Sequence, residues 1–150
     1  PPKTLLHTHF IIADIESGLP FESNSFDQVC CNFVVSYLRH PLECLIELCR
    51  VLRPGGKLLI SSLKPNADLS EVYRNFVAVA ENEKQIGEAR RLLSNAGAIK
   101  LSEVRGLYQF YSEKELKGLA RRGGLTQIRA LRSFGNQANL VIARKTPAAT

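Results

Sequence analysis

Three short stretches set polar residues at the ends of apolar runs. Asp14 closes His-Phe-Ile-Ile-Ala (residues 9–13), and Asn32 with Phe33 closes Val-Cys-Cys (29–31). Ser61 and Ser62 follow Leu-Leu-Ile (58–60) and precede Leu63-Lys64. A carboxylate, a carboxamide and hydroxyls at such places can accept and donate hydrogen bonds to a small polar ligand. His40 follows the second run, where an imidazole suits general-base work; packing at a helix entry is the plainer role. His7 and His9 stand two apart, on one face if extended, but no further metal ligand accompanies them. No catalytic residue and no metal ligand is assigned. The four cysteines, Cys30, Cys31, Cys44 and Cys49, lack zinc-site spacing and read as buried, reduced thiols, which makes a cytoplasmic location the default.

Those residues need elements to hold them. Residues 9–13 and 27–33 read as buried strands. Pro41 suits a first helical position, and apolar residues at 42, 45, 46, 49 and 52 recur at helical spacing. Arg53-Pro54-Gly55-Gly56 ends the helix, with a glycine placed where a type II turn requires positive φ. Residues 57–63 form the next strand. Strand, helix, turn and strand make a βαβ unit, hence two parallel strands. Ligands of open α/β sheets bind beyond the strands' carboxyl ends. Asp14, Asn32 to Tyr37 and Ser61 to Lys64 all lie there.

Beyond residue 66 the pattern predicts two helices, the second stopped by Gly97. Ser112 with Glu115 has the form of a capping box opening another helix, which ends at Gly123-Gly124. Residues 126–133 and 138–144 read as two strands joined through Gly135-Asn136, antiparallel because the link is short.

The chain has 150 residues, a single-domain length, with 45% hydrophobic and 23% charged residues. That composition excludes global disorder and collagen-like repeats. No stretch is long and apolar enough to span a membrane. The net charge of +6 is uneven. Residues 1–83 carry 7 Lys/Arg against 10 Asp/Glu, and residues 84–150 carry 13 against 4. The basic half reads as a solvated face; nucleic acid is not the expected partner, since no RNA-binding motif accompanies it.

The stretch from Asp14 to Ser62 resembles class I S-adenosylmethionine-dependent methyltransferases. The matching pieces are Ala13-Asp14-Ile15, Leu19-Pro20-Phe21 and Ser25-Phe26-Asp27, then Glu47-Leu48-Cys49-Arg50-Val51-Leu52-Arg53-Pro54-Gly55-Gly56-Lys57. The last is close to that family's E-x-x-R-V-L-(R/K)-P-G-G signature. Leu63-Lys64-Pro65, followed by Tyr73 and Phe76, is similar to the ubiquinone/menaquinone-biosynthesis type.

The resemblance implies a Rossmann-like α/β sheet with a helical insertion and a closing antiparallel hairpin. It implies S-adenosyl-L-methionine as cofactor and a small-molecule methyl acceptor. Asp14 would accept from the adenine amino group, the Ile15 N–H would meet the ring, and Asn32 with Phe33 would line the methionine end. The expected organisation is a cofactor-side core (1–63), a lid-like insertion (64–111), a closing helix and hairpin (112–145) and a tail (146–150). Tyr73, Phe76, Tyr108, Phe110 and Tyr111 could line a lid over an apolar substrate, or be core.

The family's acid-x-G-x-G-x-G loop and the acid ending its second strand have no counterpart here. With the missing Met, this suggests a fragment opening before the family's third strand. In the family order 3-2-1-4-5-7-6, the strand at 9–13 would then lack its neighbour. A non-catalytic interaction module self-associating through an exposed sheet edge, or one subunit of a split enzyme, is one alternative; an RNA methyltransferase is another.

Overall fold

A computed structural model describes residues 9–147, apart from the side chain of Leu92. His7 lies outside the described residues. The strands are β1 (Phe26–Asn32), β2 (Leu52–Leu63), β3 (Leu125–Ser133) and β4 (Ala138–Lys145). The helices are α1 (Pro41–Val51), α2 (Leu69–Val77), α3 (Glu83–Val104) and α4 (Glu113–Arg122). One four-stranded sheet has the order β1-β2-β4-β3. β1 and β2 are parallel, joined through α1, while β4 is antiparallel to both β2 and β3.

The α/β sheet with parallel pair, helical insertion and closing hairpin is as the sequence implies. Reading β1, β2, β3 and β4 as the family's strands 4, 5, 6 and 7, the observed order is the right-hand part of the family's order.

α1 and α4 cover one face of the sheet. Leu45, Leu48, Leu58, Ile60, Leu116, Leu125 and Val141 are all buried in the core between them. A smaller cluster of Leu63, Leu69, Val72, Phe110 and Ala138 ties α2 to the carboxyl end of β2, with Phe33 packed against it.

Several local expectations are corrected. Residues 9–13 form no strand, and Phe10 and Ile12 are 95% and 104% exposed. β1 has a neighbour only on its β2 side, so no ladder reaches this apolar segment among the described residues. β1 ends at Asn32, and residues 35–37 make a 3-10 turn. α3 runs through Gly97 to Val104, because that glycine keeps an ordinary helical φ and its position is open. Cys30 is exposed while Cys31 is buried, as successive strand residues face opposite ways. α1 buries Cys44, Leu45, Leu48 and Cys49, and leaves Ile46 exposed.

The Pro54-Gly55-Gly56 turn is a bulge within β2. Phe26 pairs with Leu52, and the next pair is Gln28 with Lys57. Gly55 takes φ +77°, as a type II turn requires. A Cβ on Gly56 would sit 2.8 Å from the Arg53 carbonyl oxygen.

Candidate functional site

The carboxyl ends of β1 and β2 meet in a polar patch. Asn32 pairs with Ser61 across the parallel ladder. The Ser61 hydroxyl donates to Asn32 Oδ1 at 2.5 Å and accepts the Phe33 N–H at 3.0 Å. Phe33 has φ +56°, the left-handed region that an aromatic residue rarely occupies. Its ring meets Phe134 edge-on at 5.5 Å. Asn32 is exposed and Phe33 half-buried.

Beneath this patch runs a polar network centred on the buried Ser36, Ser62, Gln137 and Asn139. The hydroxyls of Ser36 and Ser62 lie 2.8 Å apart, and Ser62 Oγ also accepts the Tyr111 N–H at 3.1 Å. Asn139 donates to the Tyr111 carbonyl at 2.8 Å and accepts from Arg132. Gln137 accepts the Asp68 N–H at 2.8 Å and donates to Glu71, which ties the start of α2 to the β3–β4 connection. Buried polar groups are tolerated only with partners; here they fix the insertion and closing segments to the strand tips. The Tyr111 hydroxyl is the exception, buried without a partner among the described residues, and burial with nearby Glu115 pushes its pKa up.

Asp14 opens a tight turn. Its Oδ1 accepts the Glu16 N–H at 2.9 Å and its Oδ2 the Ser17 hydroxyl at 2.8 Å. Those bonds hold its pKa below the ordinary carboxylate value. Ile15 packs against the main core. Glu16 Oε1 accepts the backbone N–H groups of Arg39 and His40, at 2.7 and 2.9 Å, anchoring this turn to the start of α1. Asn32 and Phe33 thus stand together with Ser61. Among the described residues no hydrogen bond joins them to Asp14 or Ile15.

His40 is exposed, 3.9 Å from Glu43, and precedes Pro41 at the entry of α1. Of the aromatic residues, Phe110 and Tyr111 are buried, Phe76 is exposed, and Tyr108 meets Tyr37 edge-on at 4.6 Å. Several C-terminal cations have local structural work. Arg144 donates to the Gly55 carbonyl at 2.7 Å, and Lys145 to the Leu52 carbonyl at 2.8 Å. Among the described residues no cluster of metal-ligating side chains occurs, and no helix is long and apolar enough to cross a membrane.

A cavity of about 320 Å³ opens beside the same strand tips. Leu63, Ala67, Leu69, Ala96, Ile99 and Phe110 wall it. At its rim Lys100 is engaged by Asn66 and Glu103, at 2.7 and 2.8 Å.

Residues 2–60 match the family described as "Methyltransferase domain". The chain is 45% identical over 65 residues to the ubiquinone/menaquinone biosynthesis C-methyltransferase UbiE of Laribacter hongkongensis. That match spans 39% of this chain and 26% of that protein. It is 37% identical over 81 residues to the malonyl-[acyl-carrier protein] O-methyltransferase of a Marinomonas species, covering 54% of this chain and 29% of that one. In sequence over this stretch and in fold, the chain resembles the class I methyltransferases.

Solved structures share the fold. The citrinin polyketide synthase CMeT domain aligns over 93% of this chain and 33% of its own, with TM-score 0.58 and 17% identity. A methyltransferase from Thermotoga maritima aligns over 89% and 62%, with TM-score 0.55 and 17% identity. The matches to the curated relatives cover less than a third of those proteins' length.

On α1, the signature residues Glu47 and Arg50 prove to be a strap. Glu47 Oε1 accepts from Arg50 Nη2 and from the Leu19 N–H, at 2.6 and 2.8 Å. The sequence places Ser61 and Ser62 at the ligand-binding end of their strand but names no partners for them, and it gives Asn139 no role. The usable signal was two serines inside an apolar strand, since a buried hydroxyl must find a partner.

Proposed function

We propose that this chain carries part of the site for S-adenosyl-L-methionine-dependent methyl transfer to a small-molecule acceptor. The carrying observation is the position of Asn32 and Phe33 at the carboxyl end of the parallel β1–β2 pair, within the stretch that matches the methyltransferase family. Open α/β sheets take ligands at that end.

The residues present fit the cofactor. Asp14 is exposed and held as a carboxylate, suited to accept from an adenine amine. The Ile15 N–H meets the same ring. Asn32 offers an exposed amide and Phe33 an aromatic wall toward the methionine end. When bound, the cofactor supplies an electrophilic methyl group on a sulfonium that leaves readily. The protein's contribution is then mainly positioning.

The cavity at the carboxyl end of β2 suits the apolar body of an acceptor. Leu63, Leu69 and Phe110 belong both to its wall and to the cluster that packs Phe33, while the rim charges of Lys100 and Glu103 are already paired. In this reading residues 1–63 form the cofactor-side core and 64–111 a lid-like insertion. Residues 112–145 close the sheet, followed by a tail at 146–150.

The test is an amide NMR titration with S-adenosylhomocysteine. Shifts centred on Ile15, Asn32 and Phe33 are expected. An unchanged spectrum up to millimolar ligand, or shifts confined to other residues, overturns the reading.

A second reading, an interaction module, is favoured by the outer edge of β1, which has no neighbour among the described residues. Such edges template pairing with another chain. Sedimentation velocity would show concentration-dependent association, abolished by replacing Val29 with Pro; a monomer at all concentrations dismisses self-association.

A further inference from the structure

Ser61 holds the two residues at the tip of β1 at once, and the hydrogen-bond chemistry gives that a consequence. The Asn32 side chain has one acceptor oxygen and one two-proton donor. Its oxygen is taken by the Ser61 hydroxyl at 2.5 Å. Its Nδ2 makes no hydrogen bond among the described residues, and the residue is exposed. The same Ser61 oxygen accepts the Phe33 N–H at 3.0 Å, which supports a left-handed φ of +56° at a bulky residue. Such a backbone persists only where its surroundings hold it. Ser61 itself is 2% exposed, so its hydroxyl is shielded from competing water.

We infer that Ser61 is a positioning residue. It orients the Asn32 amide so that Nδ2 is presented to ligand as a donor, and it pins Phe33 beside it. The group received there is a negatively polarised oxygen, such as a carboxylate. A side chain unconstrained at this point could turn over and present either end; Ser61 removes that choice. The ligand part of the inference rests on the functional reading above, whereas the clamp itself does not.

The experiment compares wild type with Ser61→Ala, Ser61→Thr and Asn32→Asp, using amide hydrogen exchange and S-adenosylhomocysteine titration. Ser61→Ala is expected to lower Phe33 amide protection and to weaken ligand binding, each about tenfold, the scale of one lost hydrogen bond. Ser61→Thr keeps the hydroxyl and restores both. Asn32→Asp leaves an oxygen facing Ser61 but replaces the donor with a second carboxylate oxygen, so binding falls further while Phe33 protection stays. Unchanged Phe33 protection in Ser61→Ala overturns the clamp. A clamp confirmed by exchange, with ligand affinity indifferent to Ser61→Ala and Asn32→Asp, overturns the donor role. Wild type that binds no ligand overturns the functional reading and the donor role with it, and exchange alone then decides the clamp.

Discussion

Glu47 and Arg50 form a two-pronged pair on α1, with Arg50 Nε 2.7 Å from Glu47 Oε2 and Nη2 2.6 Å from Oε1. Both partners also hold the preceding loop: Glu47 accepts the Leu19 N–H, and Arg50 donates to the Leu19 carbonyl at 3.2 Å. The strap joins the loop after Asp14 to the helix between β1 and β2. The hydrogen bonds from Arg50, then that from Leu19, hold the Glu47 pKa down at about 2, from an ordinary 4.5.

That depression gives a pH dependence. A carboxyl with a lowered folded-state pKa adds stability above its unfolded value, and loses it as pH falls through its folded one. Glu47→Gln is therefore expected to cost about 1 kcal/mol at neutral pH, a partly exposed pair being screened by solvent. The difference from wild type shrinks between pH 4.5 and about 2. Urea midpoints measured across that range check it; a gap that stays constant to the acid end means the ion pair is not its source.

The two glycines of the bulge in β2 should respond differently. Gly55 has open space but a φ of +77°, so Gly55→Ala is expected to cost about 1 kcal/mol from backbone strain. Gly56→Ala drives a methyl to 2.8 Å from the Arg53 carbonyl and 3.1 Å from that of Asp27, and should cost more, about 2–3 kcal/mol. Thermal unfolding of the two variants side by side gives the order, and equal losses would contradict it.

Tyr111 makes opposite forecasts for its two polar ends. Its backbone N–H and carbonyl are satisfied by Ser62 and Asn139, both inaccessible to solvent. Removing the Ser62 hydroxyl strands a buried donor, so Ser62→Ala should destabilise by about 1–3 kcal/mol. The Tyr111 hydroxyl has no partner to lose among the described residues. Tyr111→Phe is expected to be neutral or stabilising in denaturant melts; a large loss there would reveal a partner.

α4 opens on a complete capping box. Ser112 Oγ accepts the Glu115 N–H at 3.3 Å, and the Glu115 carboxylate accepts the Ser112 N–H at 2.8 Å. Ser112→Ala should cost about 1 kcal/mol, with Ser112→Asp close to wild type. Circular dichroism melts compare the pair.

By itself the sequence determined what depends on neighbours along the chain. Pro41 opening α1, the turn glycine at 55, the Ser112–Glu115 box and the short link between β3 and β4 are all set within a few residues. The family signature from Glu47 to Gly56 was legible for the same reason. The tertiary structure decided what depends on a distant partner. Residues 9–13 have the composition of a strand, yet form none, because a strand exists only against a neighbour that hydrogen-bonds to it. Gly97 reads as a stop, but the helix continues where nothing opposes it. The roles of Ser61 and Ser62 could not be read from two serines in a row, since their partners stand 26 to 49 residues away. Only the parallel register of β1 on β2 sets Ser61 opposite Asn32. Buried hydroxyls act through whichever groups folding brings within reach, and for that pair the sheet made the choice.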